Sequence, residues 1–308
     1  MRHRPSHALA AAVVCGVGLV LTGLIAFHWP LVRAHDAASL AGFVALGSYP
    51  RLHGLADLVA NSVDPAPYAV FGGLLVLIAL VRRRWLLALV VPLEMLGAAA
   101  TTELLKPIVG RVRYSDWFGA HNQIAAASWP SGHATASMTV ALCAVVVVPA
   151  VARPVVALLG CALAIGVSYS ILILRWHFPS DVLGGYIVAA LWISLALAVL
   201  WWGQDRWPAR NAHAPETLGV RSLFLPLAGV ALFVGAAFGV LLIRTRLAAA
   251  YASVHASLLI GAALIAMLAA VLVASVAVVM RPVATAGAGD GAPAPRARYR
   301  LGLPRARL

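Results

Sequence analysis

Apolar runs long enough to span a membrane dominate the chain, and short polar stretches separate them. A helix needs about 20 mostly apolar residues to cross a bilayer. Because lipid offers no partners to backbone N–H and C=O groups, such runs must be helices rather than open strands. The pattern predicts an all-α, polytopic membrane bundle with a core of about six transmembrane helices plus two C-terminal ones. The predicted spans are residues 8–27, 65–81, 85–105, 133–151, 154–174, 182–202, 223–243 and 252–280.

The same pattern divides the chain into five parts. They are the first transmembrane helix with an outside interfacial segment (1–64), a helical core (65–202), a cytoplasmic loop (203–222), an additional transmembrane helix pair (223–280) and a disordered cytoplasmic tail rich in Arg, Pro and Ala (281–308). The first run also fits a signal peptide, because Arg2 and Arg4 precede it. Its length and the lack of a clear cleavage site before His28 favour a membrane span.

The composition agrees with a membrane protein and narrows the choice of partners. Hydrophobic residues make up 62% of the chain and charged residues 11%, whereas a soluble domain carries roughly 25% charged residues. The formal net charge is +13, and Lys106 is the only lysine. Such a basic balance indicates contact with anionic lipids, through the basic tail, or with a phosphorylated substrate. Nucleic acid is not expected, because no aromatic-basic ribbon or zinc-ligand spacing is present.

The positions of the basic residues predict the orientation. With the N-terminus in the cytoplasm, 15 of the 23 Lys and Arg residues lie in inside segments, as the positive-inside rule requires. Both termini are therefore expected in the cytoplasm. The bias towards arginine and alanine suggests a bacterial genome rich in G and C, and so a bacterial plasma membrane. Neither the oligomeric state nor the role of residues 223–308 follows from the sequence.

Three polar clusters interrupt the apolar pattern, and the predicted topology puts all three on the extracytoplasmic side. They are KPIVGRVR (106–113), PSGH (130–133) and RWHFPSD (175–181). Ionisable residues at the ends of membrane helices are candidates for function. In the first cluster, Lys106 and Arg113 supply positive charge that suits phosphate oxygens. The alternative is that both only snorkel at the interface.

The PSGH cluster precedes a predicted helix, so Ser131, Gly132 and His133 are expected to open its first turn. Their unpaired N–H groups and the helix dipole would then bind an anion. Gly132 permits close approach, Ser131 adds a hydroxyl, and His133 can give a proton to a departing oxygen. The alternative is an ordinary N-cap beside an interfacial histidine.

The third cluster places His177 and Asp181 four residues apart, a spacing that lets a carboxylate meet an imidazole. Asp181 would orient His177 and leave its other nitrogen free to attack phosphorus. A helix start alone explains Asp181 but does not explain His177. The set comprises cations, a helix mouth, one histidine paired to an acid and one histidine, His133, without an acid partner. We therefore expect phosphoryl transfer through a phosphohistidine, without a metal or cofactor, since no carboxylate cluster is present.

These motifs resemble the type-2 phosphatidic acid phosphatase superfamily, with the pattern Lys-x6-Arg-Pro, Pro-Ser-Gly-His and Ser-Arg-x5-His-x3-Asp. The chain matches it at Lys106, Arg113, Pro130 to His133, Ser170, His177 and Asp181, over roughly residues 65–202. It departs at Tyr114, which replaces the proline, and at Ile171, which replaces the arginine of the third motif. Because residues 171 and 175 are one helical turn apart, Arg175 is expected to replace that arginine if the helix continues so far.

The resemblance implies that residues 65–202 form the catalytic core of a membrane enzyme that hydrolyses a lipid phosphate or pyrophosphate. Phosphatidic acid, phosphatidylglycerol phosphate and polyprenyl (pyro)phosphate all fit, and the sequence does not choose among them. The roles implied are His177, His133 and Asp181 in catalysis, and Lys106, Arg113, Ser131, Gly132 and Arg175 in phosphate binding. The alternative is a non-catalytic relative that acts as a membrane scaffold or lipid-phosphate sensor, because Tyr114 and Ile171 depart from the pattern.

Overall fold

A computed structural model describes residues 5–109, 128–206 and 254–280. Within these ranges the chain forms nine α-helices and one short 3-10 helix, Ala150–Ala152. The α-helices, numbered in chain order, are α1 (Pro5–His28), α2 (Pro30–Leu46), α3 (Pro50–Asn61), α4 (Pro65–Val81), α5 (Trp85–Val109), α6 (Gly132–Val147), α7 (Arg153–Ile173), α8 (Pro179–Arg206) and α9 (Ala256–Val279).

Five helices of the described ranges are long and apolar enough to cross a membrane, namely α1, α5, α7, α8 and α9. Helices α3 and α4 meet at a bend of 52° and pass the same test as a pair. Helix α6 is apolar but shorter, with 16 residues. The expectation of an all-α, multi-pass membrane bundle is therefore confirmed.

Seven of the eight predicted spans coincide with helices, and the differences lie mainly at their ends. The remaining predicted span, residues 223–243, and the tail 281–308 lie outside the described residues. The outside segment contains two helices, α2 and α3, each of which begins at a proline. Proline is well suited to the first turn of a helix, because its φ is preset and it has no N–H to leave unpaired.

The core is built around α6, α7 and α8. Helix α6 contacts α4, α5, α7, α8 and α9, and it is buried on nearly all sides. Its second half is apolar all round, as expected of a helix enclosed by other helices. Small residues let α6 and α7 approach closely: a Cβ added at Gly160 would lie 2.9 Å from the Cβ of Ala141.

Helices outside the predicted core region pack directly on it. Helix α1 lies along α8, and α9 contacts α2, α7 and α8. The hydroxyl of Tyr169 on α7 donates to the carbonyl of Ala262 on α9 at 2.8 Å. Helix α9 thus belongs to the same packed bundle as the helices that carry the polar clusters.

Candidate active site

The first turn of α6 and the first turn of α8 are joined by a backbone hydrogen bond. The N–H of Ser131 donates to the carbonyl of Asp181 at 3.0 Å. The Ser131 side chain caps its own helix, since its Oγ accepts from the N–H of Ala134 at 3.3 Å. The side chain of Ser131 is thus an ordinary N-cap, and its N–H is paired with Asp181, which corrects the expectation that this N–H is unpaired. The contact of Ser131 with phosphate stays a prediction.

Lys106, in the last turn of α5, reaches the same place. A Cβ added at Gly132 would lie 3.8 Å from Lys106 Nζ and 3.8 Å from Glu103 Oε1. The ammonium group thus faces the start of α6, next to the one position there that has no side chain. Lys106 also pairs with Glu103 at 2.5 Å, so a carboxylate accompanies the cation at this end of the bundle.

His177 and Asp181 meet as their spacing predicted. His177 Nδ1 lies 3.5 Å from Asp181 Oδ2, and the side chains are 6% and 0% exposed. The same Oδ2 accepts from the N–H of Phe178 at 2.9 Å. Phe178 directly precedes the first residue of α8, so Asp181 reaches back from the third helical position as in a capping box. This second bond fixes the carboxylate while it faces the imidazole.

The start of α8 has a second acidic partner that sequence reasoning did not find. Asp36, buried on α2, accepts from the N–H of Ser180 at 3.0 Å and from its hydroxyl at 2.6 Å. The negative charge suits the positive end of the α8 dipole. The sequence does show an acidic residue in the otherwise semi-apolar segment 28–64. Such a carboxylate in a membrane protein usually has a specific partner. Its partner is 144 positions away and cannot be read from spacing.

His133 has an acid partner, which corrects the expectation that it lacks one. Its Nε2 lies 3.1 Å from Oδ1 of Asp64, the residue just before α4. Its ring also lies 5.2 Å from the ring of Trp176, with the planes at 50°. The site therefore holds two histidine–carboxylate contacts, one buried at His177 and one partly exposed at His133.

The structure gives no support to the two arginines proposed to bind phosphate, Arg113 and Arg175. Arg113, like Tyr114, lies outside the described residues. Arg175 is exposed and has a φ of 63°, because α7 already ends at Ile173. Ile171 is fully buried. The argument that residues 171 and 175 share a helical face is therefore wrong, and the phosphate contact of Arg175 stays a prediction without that support.

The described residues hold no group of three or more His, Cys, Asp and Glu side chains close enough to bind a metal ion together. What they do bring to one end of the bundle is a set of groups from four helices: the end of α5 with Lys106, and the starts of α4, α6 and α8. The contacts between Gly132 and Lys106, Ser131 and Asp181, and His133 and Asp64 establish this convergence.

Gly185 holds α8 against the mouth of α6, so we expect Gly185→Ala to damage the site. The new Cβ would lie 2.6 Å from Ser131 O and 3.0 Å from Thr135 N. Because both are backbone atoms, no side-chain rotation relieves the contact, and overpacking of this kind costs roughly 1–3 kcal/mol. We expect a lower unfolding temperature in detergent, together with weaker function of any site that these helix starts form.

Gly73→Ala on α4 is the matched control, because no atom of another described residue is recorded within 4 Å of its added Cβ. Alanine is the better helix former by roughly 0.5–1 kcal/mol, so this variant should be neutral or slightly stabilised. If both variants had the same unfolding temperature, α8 and α6 would lie further apart at Gly185 than the structure shows.

Comparison with known proteins gives a match to a family and a match to a solved structure. The model of the PAP2 superfamily matches residues 85–207. No curated protein matches the chain. Among solved structures, a transmembrane PAP2-type phosphatidylglycerolphosphate phosphatase from Bacillus subtilis is 22% identical, with a TM-score of 0.48, and the match covers 65% of this chain and 98% of that one. Residues 85–207, which contain both histidines and Asp181, are thus similar to the PAP2 superfamily, the family that the three motifs resemble.

Proposed function

We propose that this protein is a membrane phosphatase that hydrolyses a lipid phosphate or pyrophosphate through a phosphohistidine on His177. The match to the PAP2 superfamily supports a phosphatase. The observation that carries the proposal is the buried contact between His177 and Asp181, beside a helix mouth that Lys106 faces. A scaffold has no chemical need for such a pair.

The first half of the reaction uses both histidines. Lys106 and the first N–H groups of α6 hold the phosphate, and they stabilise the charge on its equatorial oxygens. The free nitrogen of His177 attacks phosphorus, and a P–N bond forms as the P–O bond to the lipid breaks. His133 gives its proton to the departing oxygen. Arg113 and Arg175 are the further cations that the resemblance offers for phosphate binding.

The second half returns the enzyme to its starting state. Water attacks the phosphorus of the phosphohistidine, and His133, now neutral, takes a proton from it. The P–N bond breaks, inorganic phosphate leaves, and His177 is free again. Each histidine thus ends in the protonation state in which it began, so the cycle balances without a cofactor.

A lipid substrate is supported by the surroundings of Lys106. Leu104 and Ile108, on the same last turns of α5, are 66% and 77% exposed. Large apolar side chains beside a polar site suit an amphiphile, whose tail can remain in the bilayer while its headgroup enters the site. The same reasoning places the site at a membrane interface, on the extracytoplasmic side if the distribution of arginines sets the topology.

Phosphate release from a panel of substrates tests the proposal. We expect purified protein in detergent with EDTA to hydrolyse at least one of phosphatidic acid, phosphatidylglycerol phosphate and polyprenyl diphosphate. It should hydrolyse glycerol 3-phosphate at least about tenfold less efficiently, because binding energy from the tail contributes to the reaction. Dependence on added metal would contradict the mechanism. Silence on the whole panel would favour the scaffold or sensor, which the buried Ile171 in place of the motif arginine also favours.

A further inference from the structure

We propose that Asp64 is a positioning residue that holds His133 and stabilises its protonated form for transfer of a proton to the leaving group. This inference rests on the proposed function. It concerns a residue outside the region that matches the family, since that region begins at residue 85. The contact that carries it joins Asp64 Oδ1 and His133 Nε2 at 3.1 Å.

The position of Asp64 on its own helix supports this role. Asp64 is the N-cap residue of α4, and aspartate is among the residues that best cap a helix. Its carboxylate nevertheless makes no capping hydrogen bond within the described helix. It reaches His133 instead, across 69 positions of sequence. The Asp64 carboxylate thus contacts the histidine of another helix and does not cap its own helix, α4.

Asp64 lies close to positive groups at this end of the bundle. The carboxylate lies at the positive end of the α4 dipole. His133 lies one residue after Gly132, close to which Lys106 is placed, so a nearby cation opposes a second positive charge on the imidazole. Glu103 and Asp64 are the described carboxylates that face these two groups. Of the two, Asp64 contacts the imidazole itself, and it can therefore stabilise the imidazolium directly.

The contact also fixes where the ring lies. Asp64 holds Nε2, while Trp176 lies against the ring at 5.2 Å between centroids. A general acid contributes to the rate only when its proton is within reach of the leaving oxygen. Asp64 does not itself exchange a proton in the proposed cycle, so its effect should appear only in the step that His133 assists.

The nature of the leaving group separates this role from a structural one. An alkoxide from a lipid phosphate needs a proton as its P–O bond breaks, whereas 4-nitrophenolate is stable enough to leave without one. We therefore compare kcat/KM, which reports on formation of the phosphohistidine, for the lipid phosphate that the panel identifies and for 4-nitrophenyl phosphate. We expect Asp64→Asn to lower kcat/KM about 10–100-fold for the lipid phosphate, and less than about threefold for the aryl phosphate.

Four further variants complete the experiment. Asp57→Asn on the neighbouring helix α3 removes an exposed carboxylate and should leave both rates unchanged. His133→Ala should show the same selectivity as Asp64→Asn with a larger loss. Adding Asp64→Asn to His133→Ala should cost nothing more, because residues that act as a unit are not additive. Asp64→Glu, which keeps a carboxylate, should restore part of the activity, and it also serves if Asp64→Asn folds poorly.

Several results would overturn the inference while leaving the proposed function intact. They are equal losses of Asp64→Asn on both substrates, no loss on either, or a further loss when it is combined with His133→Ala. If instead the unaltered protein hydrolyses no phosphate ester, the proposed function fails first. The two failures are therefore distinguishable within one set of measurements.

Discussion

Replacing His177 with alanine should abolish phosphate release. The proposed cycle forms its covalent intermediate on this imidazole, which lies in buried contact with Asp181. Loss of a nucleophile leaves only binding and charge stabilisation, so we expect kcat to fall by at least about 10⁴-fold. The measurement is phosphate release from the best lipid substrate of the panel, with protein amount and folding matched by size-exclusion chromatography in detergent.

Two companion measurements make the His177 result specific. His53→Ala, which removes an exposed histidine on α3, should retain full activity. A quench with radiolabelled substrate should trap an acid-labile, alkali-stable label on the parent protein and none on His177→Ala. His177→Asn, closer in volume, guards against collapse of the buried site. Substantial turnover by either His177 variant, or a label that persists in them, would remove this residue as the nucleophile.

Asp181→Asn should have the second largest effect, a loss of roughly 10³–10⁴-fold in kcat. The reason is the tautomer, as in serine-protease triads, where the corresponding change costs about 10⁴. The carboxylate oxygen Oδ2 faces His177 Nδ1 at 3.5 Å and also accepts from the N–H of Phe178. We expect it to accept a hydrogen bond from Nδ1–H when substrate is bound, so that Nε2 is the nitrogen that attacks. In Asp181→Asn, either the amide NH2 takes the place of Oδ2, donates to Nδ1 and leaves the proton of His177 on Nε2, or the amide oxygen takes that place and the negative charge that stabilises the imidazolium is lost.

The asparagine variant is preferable to alanine because it preserves volume and the start of α8. Asp181 is fully buried and accepts from the N–H of Phe178 at 2.9 Å, and removal of a buried acceptor costs roughly 1–3 kcal/mol by itself. Asp57→Asn, which makes the same substitution at an exposed carboxylate on α3, is again the control. An unchanged unfolding temperature with lost activity is the expected pattern. Activity near that of the parent would show that Asp181 serves only as a helix cap.

In the proposed cycle, the two histidine–carboxylate contacts serve different steps of the phosphoryl transfer. The His177–Asp181 contact is buried and lies within one stretch of chain, as suits a nucleophile whose tautomer must be fixed. The His133–Asp64 contact is partly exposed and joins two helices, as suits a group that exchanges protons with a substrate and with water. The predicted effects differ accordingly, since loss of the first should affect every ester and loss of the second mainly those with poor leaving groups.

Local patterns in the sequence were enough to predict the helices and the geometry within each motif. Long apolar runs permit only helices in lipid, so the spans at α4 to α8 followed from hydropathy. The contact of His177 with Asp181 followed from a spacing of four residues near a helix start. The PSGH motif opens a helix because Ser131 is a good N-cap. Each of these features depends on neighbours within a few residues, which a linear pattern records.

The contacts between residues far apart in sequence depend on how the helices pack, and the sequence pattern does not predict them. Asp64 contacts His133 across 69 positions, and Asp36 contacts Ser180 across 144. Nothing in the local pattern around either acid specifies its partner, because helix packing sets these distances. The same packing decided against a shared face for residues 171 and 175, since α7 ends at Ile173 and the backbone turns at Arg175. Hydropathy fixes which segments become helices, but the fit of side chains between helices fixes which ends converge.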